Sequence, residues 1–189
     1  IISEVLRSGQ APSPLAAQVI DLMDAWVADD APRLDADDDG FYDHPGPTIM
    51  DALFGPLAAA VMHPVFGDLT QDLDNIRDLS GNHDSNSGSV SSPDGASFID
   101  KDLRTLLGKP VVGPFNLSYC GNGSLQACRD SLWQVVDEVV QKLAVERGND
   151  PNTWLREGKR IRFLPGLIDD KTFRATNRPT FQQVLEFAP

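Results

Sequence analysis

The sequence predicts a mainly helical protein with a small β component. Four segments repeat apolar residues with the period of a buried helix face, whereas only short stretches near the C-terminus alternate as strands do. The chain has 189 residues, of which 41% are hydrophobic and 23% are charged. That length and composition are typical of one globular domain, so we expect residues 1–189 to share a single core.

The first strong helical pattern covers residues 13–27, whereas residues 1–10 carry only a weak one. Ser13 can accept a hydrogen bond at the N-cap, and Pro14 suits the first position of a helix. The apolar stripe of this predicted helix consists of Leu15, Val19, Leu22 and Trp26.

Two prolines interrupt the second predicted helix, which begins near Pro47. We expect Gly55–Pro56 to kink or split it, because proline cannot donate to the helical hydrogen-bond ladder. Pro64 is expected to end it. A polar segment at residues 79–95 follows, and it contains so little to bury that we predict an exposed loop.

The longest predicted helix extends from about Ser124 to Arg147. Ser124 can cap its start, and Gly148 can end it beside the basic side chain of Arg147. A shorter helix is expected over residues 96–108. Residues 160–164 alternate as a strand does, and the C-terminal tail is predicted to be a further strand or a short helix.

Charge is distributed unevenly along the chain. Residues 1–100 carry 18 acidic and 3 basic residues, residues 101–189 carry 10 and 13, and the net charge is −12. The acidic first half argues against nucleic acid as a partner, because phosphate binding needs a basic face. No run of about eighteen apolar residues is present, so we predict that the protein does not engage a membrane.

An acidic segment between the first two predicted helices has the spacing of a calcium loop. Asp35, Asp37 and Asp39 occupy positions 1, 3 and 5 of a D-x-D-x-D-G pattern, and Gly40 allows the tight turn at position 6. Five aspartates lie within nine residues here. A bound cation would offset their mutual repulsion, and carboxylates suit calcium.

Two further oxygens follow in the same segment. Phe41 at position 7 would contribute its backbone carbonyl, and Asp43 at position 9 its carboxylate. Position 12 of an EF-hand needs a bidentate glutamate, but Gly46 stands there, so the segment is not an EF-hand. The alternative is a solvated acidic loop that binds no metal.

Cys120 and Cys128 are the two cysteines of the chain. They can close a small disulfide loop if the chain turns at Gly121–Gly123, and we favour this structural role. In a cytosolic protein such a pair would stay reduced. Two cysteines cannot form a tetrahedral zinc site alone, and the three histidines are distant in sequence.

Catalytic motifs are absent from the sequence. It contains no G-x-S-x-G elbow, no H-E-x-x-H zinc helix and no G-x-x-x-x-G-K-[ST] phosphate loop. His44 can serve as a ligand or base, or it can complete a turn through hydrogen bonds. A small hydrolase based on His44 or His83 with a serine of the polar segment has no supporting spacing. Trp26, Trp133 and Trp154 are expected in the core.

Three segments together resemble the penicillin acylase family of N-terminal nucleophile amidohydrolases, in particular its aculeacin-type branch. They are residues 35–52 (DADDDGFYDHPGPTIMDA), residues 119–129 (YCGNGSLQACR) and residues 176–187 (TNRPTFQQVLEF). The three segments appear in the order expected for the C-terminal part of the larger (β) chain of such an enzyme.

The resemblance implies a fragment of an αββα hydrolase, largely helical, whose last strand joins the sheet of the catalytic core. In that family the N-terminal serine of the larger chain attacks an amide, with its own amino group as base. That serine precedes the matching region, so no catalytic residue carries over to any position here. The resemblance also implies a secreted or periplasmic protein with the remaining acylase chains as partners.

Two functions of different classes follow from these observations. The first is the structural C-terminal region of an amidohydrolase that cleaves acylated substrates, a region that is not catalytic alone. The second is a free-standing calcium-dependent binding or interaction module. In both, calcium would have a structural role at the acidic segment.

Overall fold

A computed structural model describes residues 1–70, 96–112, 118–158, 160–162 and 172–174. The helices are α1 (Ile2–Arg7), α2 (Pro14–Ala28), α3 (Gly46–Phe66), α4 (Ala96–Leu106) and α5 (Leu125–Arg147). Two short 3-10 turns span Cys120–Gly123 and Pro151–Thr153, and the strands are β1 (Arg160–Arg162) and β2 (Thr172–Arg174). The described part of the chain is mainly helical, as the sequence predicts.

The two described strands form a small antiparallel sheet, with Ile161 opposite Phe173. β1 falls within the alternating stretch that predicted a strand. The C-terminal tail is predicted to begin at Phe173, and β2 contains its first two residues, Phe173 and Arg174. The polar segment at 79–95 and the tail after Arg174 lie outside the described residues.

The start of α2 confirms the predicted cap. The Ser13 hydroxyl accepts a hydrogen bond from the Ala16 N–H at 3.2 Å, and Pro14 is the first helical residue. The same hydroxyl donates to the Asp137 carboxylate at 2.5 Å, which connects the start of α2 to α5. One side chain therefore caps α2 and positions it against the longest helix.

α3 continues through both prolines, so Pro56 does not split the helix and Pro64 does not end it, contrary to those two expectations. It includes Pro56 and Pro64 and ends at Phe66, where Gly67 takes a φ of 52°. Each proline removes one donor from the helical ladder. Tertiary packing outweighs that loss, because α3 buries a continuous apolar face. Its buried side chains include Ile49, Leu53, Leu57, Ala58 and Val61.

By length and composition alone, α3 could cross a membrane. In the described structure, however, it contacts α2, α4, α5 and the Cys120–Gly123 turn. Its Asp51 also forms ion pairs with Arg33 and Arg156. The core helix of a globular protein passes the same test of length and composition, and α3 packs part of its surface against these elements.

α5 has the bounds that its capping residues predict. The Ser124 hydroxyl accepts the Ala127 N–H at 3.2 Å, and the helix ends at Arg147, immediately before Gly148. Its apolar face contacts α1, α2 and α3. The side chains that it buries are Cys128, Leu132, Trp133, Val136, Val140, Leu143 and Ala144.

α1 is a helix that the sequence pattern did not reveal. Val5 and Leu6 are fully buried, and the Trp133 indole donates to the Leu6 carbonyl at 2.9 Å. Six residues are less than two turns, too few for a helical period to emerge. Trp26 and Trp154 are also buried and also donate to backbone carbonyls, which confirms the core role expected of the tryptophans.

A disulfide joins Cys120 to Cys128, as predicted, and both residues are buried. The turn between them needs glycine at Gly121. That residue has a φ of 57°, and a Cβ there would lie 2.4 Å from the Cys128 backbone nitrogen. The bridge therefore fastens a tight turn directly to the first turns of α5.

Asp102 of α4 holds the start of the same turn. Its carboxylate is fully buried and accepts the N–H groups of Tyr119 and Cys120 at 2.9 and 2.8 Å. Two backbone donors compensate the cost of burying this charge. α4, the cysteine turn and α5 are consequently joined by one carboxylate and one disulfide.

Removing the disulfide by the double substitution Cys120→Ala and Cys128→Ala is expected to lower the free energy of unfolding by about 2.5 kcal/mol, because the bridge restricts the unfolded chain. Urea denaturation of both proteins measures this difference, and reduction of the wild type should reproduce it. Titration of the unfolded, non-reduced protein should detect no free thiol, and two thiols would contradict the bridge.

Candidate metal centre

The three aspartates at the odd positions of the acidic segment converge. Carboxylate oxygens of Asp35, Asp37 and Asp39 all lie within 4.8 Å of one another. Asp35 is 4% exposed, whereas Asp37 and Asp39 face solvent. This group can hold a metal ion, with one ligand at the protein interior and two at the surface.

Local hydrogen bonds shape the loop between these ligands. Asp37 Oδ1 accepts the Asp39 N–H at 3.3 Å, and Asp39 Oδ1 accepts the Phe41 N–H at 2.7 Å. Asp38 and Gly40 take φ values of 61° and 97°, in the left-handed region. Gly40 thus makes the turn at position 6 that the sequence predicts, since glycine adopts this conformation without steric cost.

Asp43 closes the loop and lies outside the group of three. Its two carboxylate oxygens accept the Ala36 N–H at 3.2 and 3.0 Å. Its own N–H donates to the Leu34 carbonyl at 2.8 Å. The structure therefore shows Asp43 joining the two ends of the loop, and its role as a metal ligand stays a prediction.

A distant segment pairs with the end of the loop. Phe41 forms an antiparallel bridge with Glu157, in which the Tyr42 N–H donates to the Arg156 carbonyl at 2.8 Å and the Gly158 N–H donates to the Gly40 carbonyl at 2.7 Å. In such a pair the N–H and carbonyl of Phe41 point away from the partner segment. The Phe41 carbonyl therefore points to the same side of the chain as the Phe41 N–H, which donates to Asp39. A backbone ligand at position 7 of a calcium loop has to point to that side.

The loop enters α3 against a tryptophan. Trp26 stacks on His44 with 6.3 Å between ring centres, and a Cβ on Gly46 would lie 2.3 Å from the Trp26 ring. His44 Nδ1 accepts the Gly46 N–H at 2.9 Å, which requires a neutral imidazole with a lone pair at that atom. Burial lowers the pKa of His44 and favours that form. His44 completes the turn into α3.

An ion-pair cluster flanks the loop, and no pattern in the sequence predicts it. Arg33, just before the loop, reaches one oxygen of Asp51 on α3 at 3.3 Å. Arg156, beside the bridge, contacts the other oxygen. Burial and the neighbouring Arg33 lower the pKa of Arg156, which still remains a cation.

The donor atoms of the loop fit a hard cation. Asp35, Asp37, Asp39 and the Phe41 carbonyl present oxygen, which calcium prefers over nitrogen or sulfur. Gly46, at the position of the EF-hand glutamate, is buried at the start of α3 and contributes no side chain. Calcium takes six to eight oxygens, so water would supply the remaining ligands.

Comparison with known proteins identifies no relative of this chain. Neither a scan against protein-family models nor a search of curated proteins finds a match to this sequence. A functional proposal therefore depends on two observations. One is the geometry of the acidic loop, and the other is the resemblance of three sequence segments to the penicillin acylase family.

Gly46→Ala should lower the free energy of unfolding by about 1–3 kcal/mol, since the added methyl overlaps the rigid Trp26 ring. Gly9→Ala is the matched control, because the atoms nearest to its methyl would be those of the flexible Arg129 side chain. Thermal and urea unfolding of the two variants measure the difference. If Gly46→Ala and Gly9→Ala have the same free energy of unfolding, Trp26 does not restrict the path of the chain into α3.

Proposed function

We propose that this chain is the C-terminal, largely helical structural region of a penicillin-acylase-type amidohydrolase, and that its acidic loop binds one structural calcium ion. The convergence of Asp35, Asp37 and Asp39 between α2 and α3 is the observation that supports the cation site most directly. The family assignment derives from the three sequence segments that resemble penicillin acylases.

Calcium bound at this position would stabilise the fold. It would offset the repulsion of the three carboxylates and connect the segment after α2 to the segment before α3. Asp35, Asp37, Asp39 and the Phe41 carbonyl would hold it, with Asp43 as a further candidate.

A structural role follows from the resemblance, because the nucleophile of the penicillin acylase family is the N-terminal serine of the larger chain, which precedes the segments that this chain resembles. His44 is occupied by the turn into α3, and His63 lies at the surface of α3. Catalysis would depend on the remaining acylase chains, which we propose as partners. The buried disulfide agrees with a secreted or periplasmic location.

A free-standing calcium-dependent binding module is the competing function. It uses the same loop, and the extensive core around α5 would suit a domain that folds alone. A gene whose reading frame extends upstream through a cleavage site would favour the acylase region, and a short gene would favour the module.

Calcium chelation is expected to lower the melting temperature. At a calcium concentration one hundred times the Kd, binding adds about 2.7 kcal/mol of stability. For a domain of this size that corresponds to roughly 5–10 °C. Differential scanning calorimetry with and without EGTA measures the shift.

Asp37→Ala should abolish that shift, because it removes one of the three converging carboxylates. Asp38→Asn is the matched control. It removes the same charge one residue away, and asparagine tolerates the positive φ at that position. A shift that persists in Asp37→Ala, or no shift in the wild type, would contradict the site and leave a solvated acidic loop.

The purified 189-residue chain should not hydrolyse amides. A panel of acylated amines, followed by fluorescence detection of the released amine, tests this, and a penicillin acylase run in parallel establishes the sensitivity. Turnover by this chain alone would refute the assignment as a non-catalytic region. In that case His44→Ala would test whether the histidine beside the loop takes part.

A further inference from the structure

The Asp51 carboxylate lies between two arginines that belong to different segments. Arg33 reaches its Oδ1, and Arg156 reaches its Oδ2. The side chains of Arg33, Arg156 and Asp51 are 22%, 27% and 33% exposed, respectively. The cluster is therefore partly shielded from water. Ion pairs in such settings are stronger than pairs at an open surface.

Each arginine is next to a backbone contact that shapes the acidic loop. Arg33 immediately precedes Leu34, whose carbonyl accepts the Asp43 N–H at 2.8 Å. Arg156 itself accepts the Tyr42 N–H at 2.8 Å through its carbonyl. Asp51 thus holds the segment before the loop and the segment paired with its end against the same helix.

The segment around Arg156 also lies close to the first proposed ligand. A Cβ on Gly158 would be 3.9 Å from Asp35 Oδ2 and 3.5 Å from the Gly40 carbonyl. A displacement of this segment would therefore change the surroundings of Asp35 and the path of the turn at Gly40. The positions of the loop oxygens depend on where this segment is held.

We propose that Asp51, Arg33 and Arg156 form a clamp that positions the acidic loop for cation binding. This inference rests on the proposed cation site and adds three positioning residues to it. None of the three is a ligand. They act by holding the two flanks of the loop at the separation that brings Asp35, Asp37 and Asp39 together.

The clamp and simple electrostatics predict opposite changes in calcium affinity when Arg156 is replaced. Arg156 is a cation near a cation site, so removing its charge without moving the loop would strengthen calcium binding. If Arg156 instead positions the loop, its loss weakens binding. Loss of a residue that orients metal ligands typically costs about 10- to 100-fold in affinity.

Isothermal titration of calcium into the chelator-treated 189-residue chain tests the clamp at fixed ionic strength. Arg156→Gln is expected to raise the Kd about tenfold. Arg7→Gln is the matched control, because it also removes an arginine from ion pairs, here with Asp21 and Asp24 between α1 and α2. Its Kd should match that of the wild type within about twofold, as expected for exposed ion pairs.

Calcium binding by Arg156→Gln that equals or exceeds wild-type binding overturns the clamp and leaves the cation site intact. Absence of binding by the wild type overturns the cation site, and the clamp with it. Circular dichroism in chelator verifies that each variant is folded. If Arg156→Gln does not fold, Arg33→Gln decides by the same criterion, since it removes the other cation of the clamp.

Discussion

Repulsion among Asp35, Asp37 and Asp39 is the constraint on which the arrangement of this region depends. Two unit charges about 4 Å apart repel by roughly 1 kcal/mol in a water-like dielectric, and by more near a buried group such as Asp35. The loop opposes this with short-range bonds from the Asp39, Phe41 and Ala36 N–H groups to its carboxylates. Each contributes a net 0.5–3 kcal/mol, so the loop can form without a cation and still gain from binding one.

Both ends of the loop are anchored to the core by contacts of different kinds. Trp26 stacks on His44 and leaves room only for glycine at Gly46, which sets the direction in which the chain enters α3. On the other side, Arg33 and Arg156 share Asp51. Rigid contacts of this type would position the carboxylates of the proposed site in advance, which would reduce the ordering cost of binding a metal.

A second fixed region lies around the cysteine turn. The disulfide and the buried Asp102 hold Cys120 from two sides, while Trp133 connects α5 to the backbone of α1. Both this region and the acidic loop give stability and shape to the described helical unit.

Properties encoded within a few residues were determined by the sequence alone: the caps at Ser13 and Ser124, the bounds of α5, the spacing of the three carboxylates and the turn at Gly40. Tertiary structure decided the rest. α3 passes through Pro56 because its apolar face is buried, which local proline chemistry does not reveal. The contacts of Asp51, Arg156 and Asp102 connect residues 17 or more positions apart in sequence. No periodicity or motif predicts such contacts, because they form only when segments distant in sequence pack together.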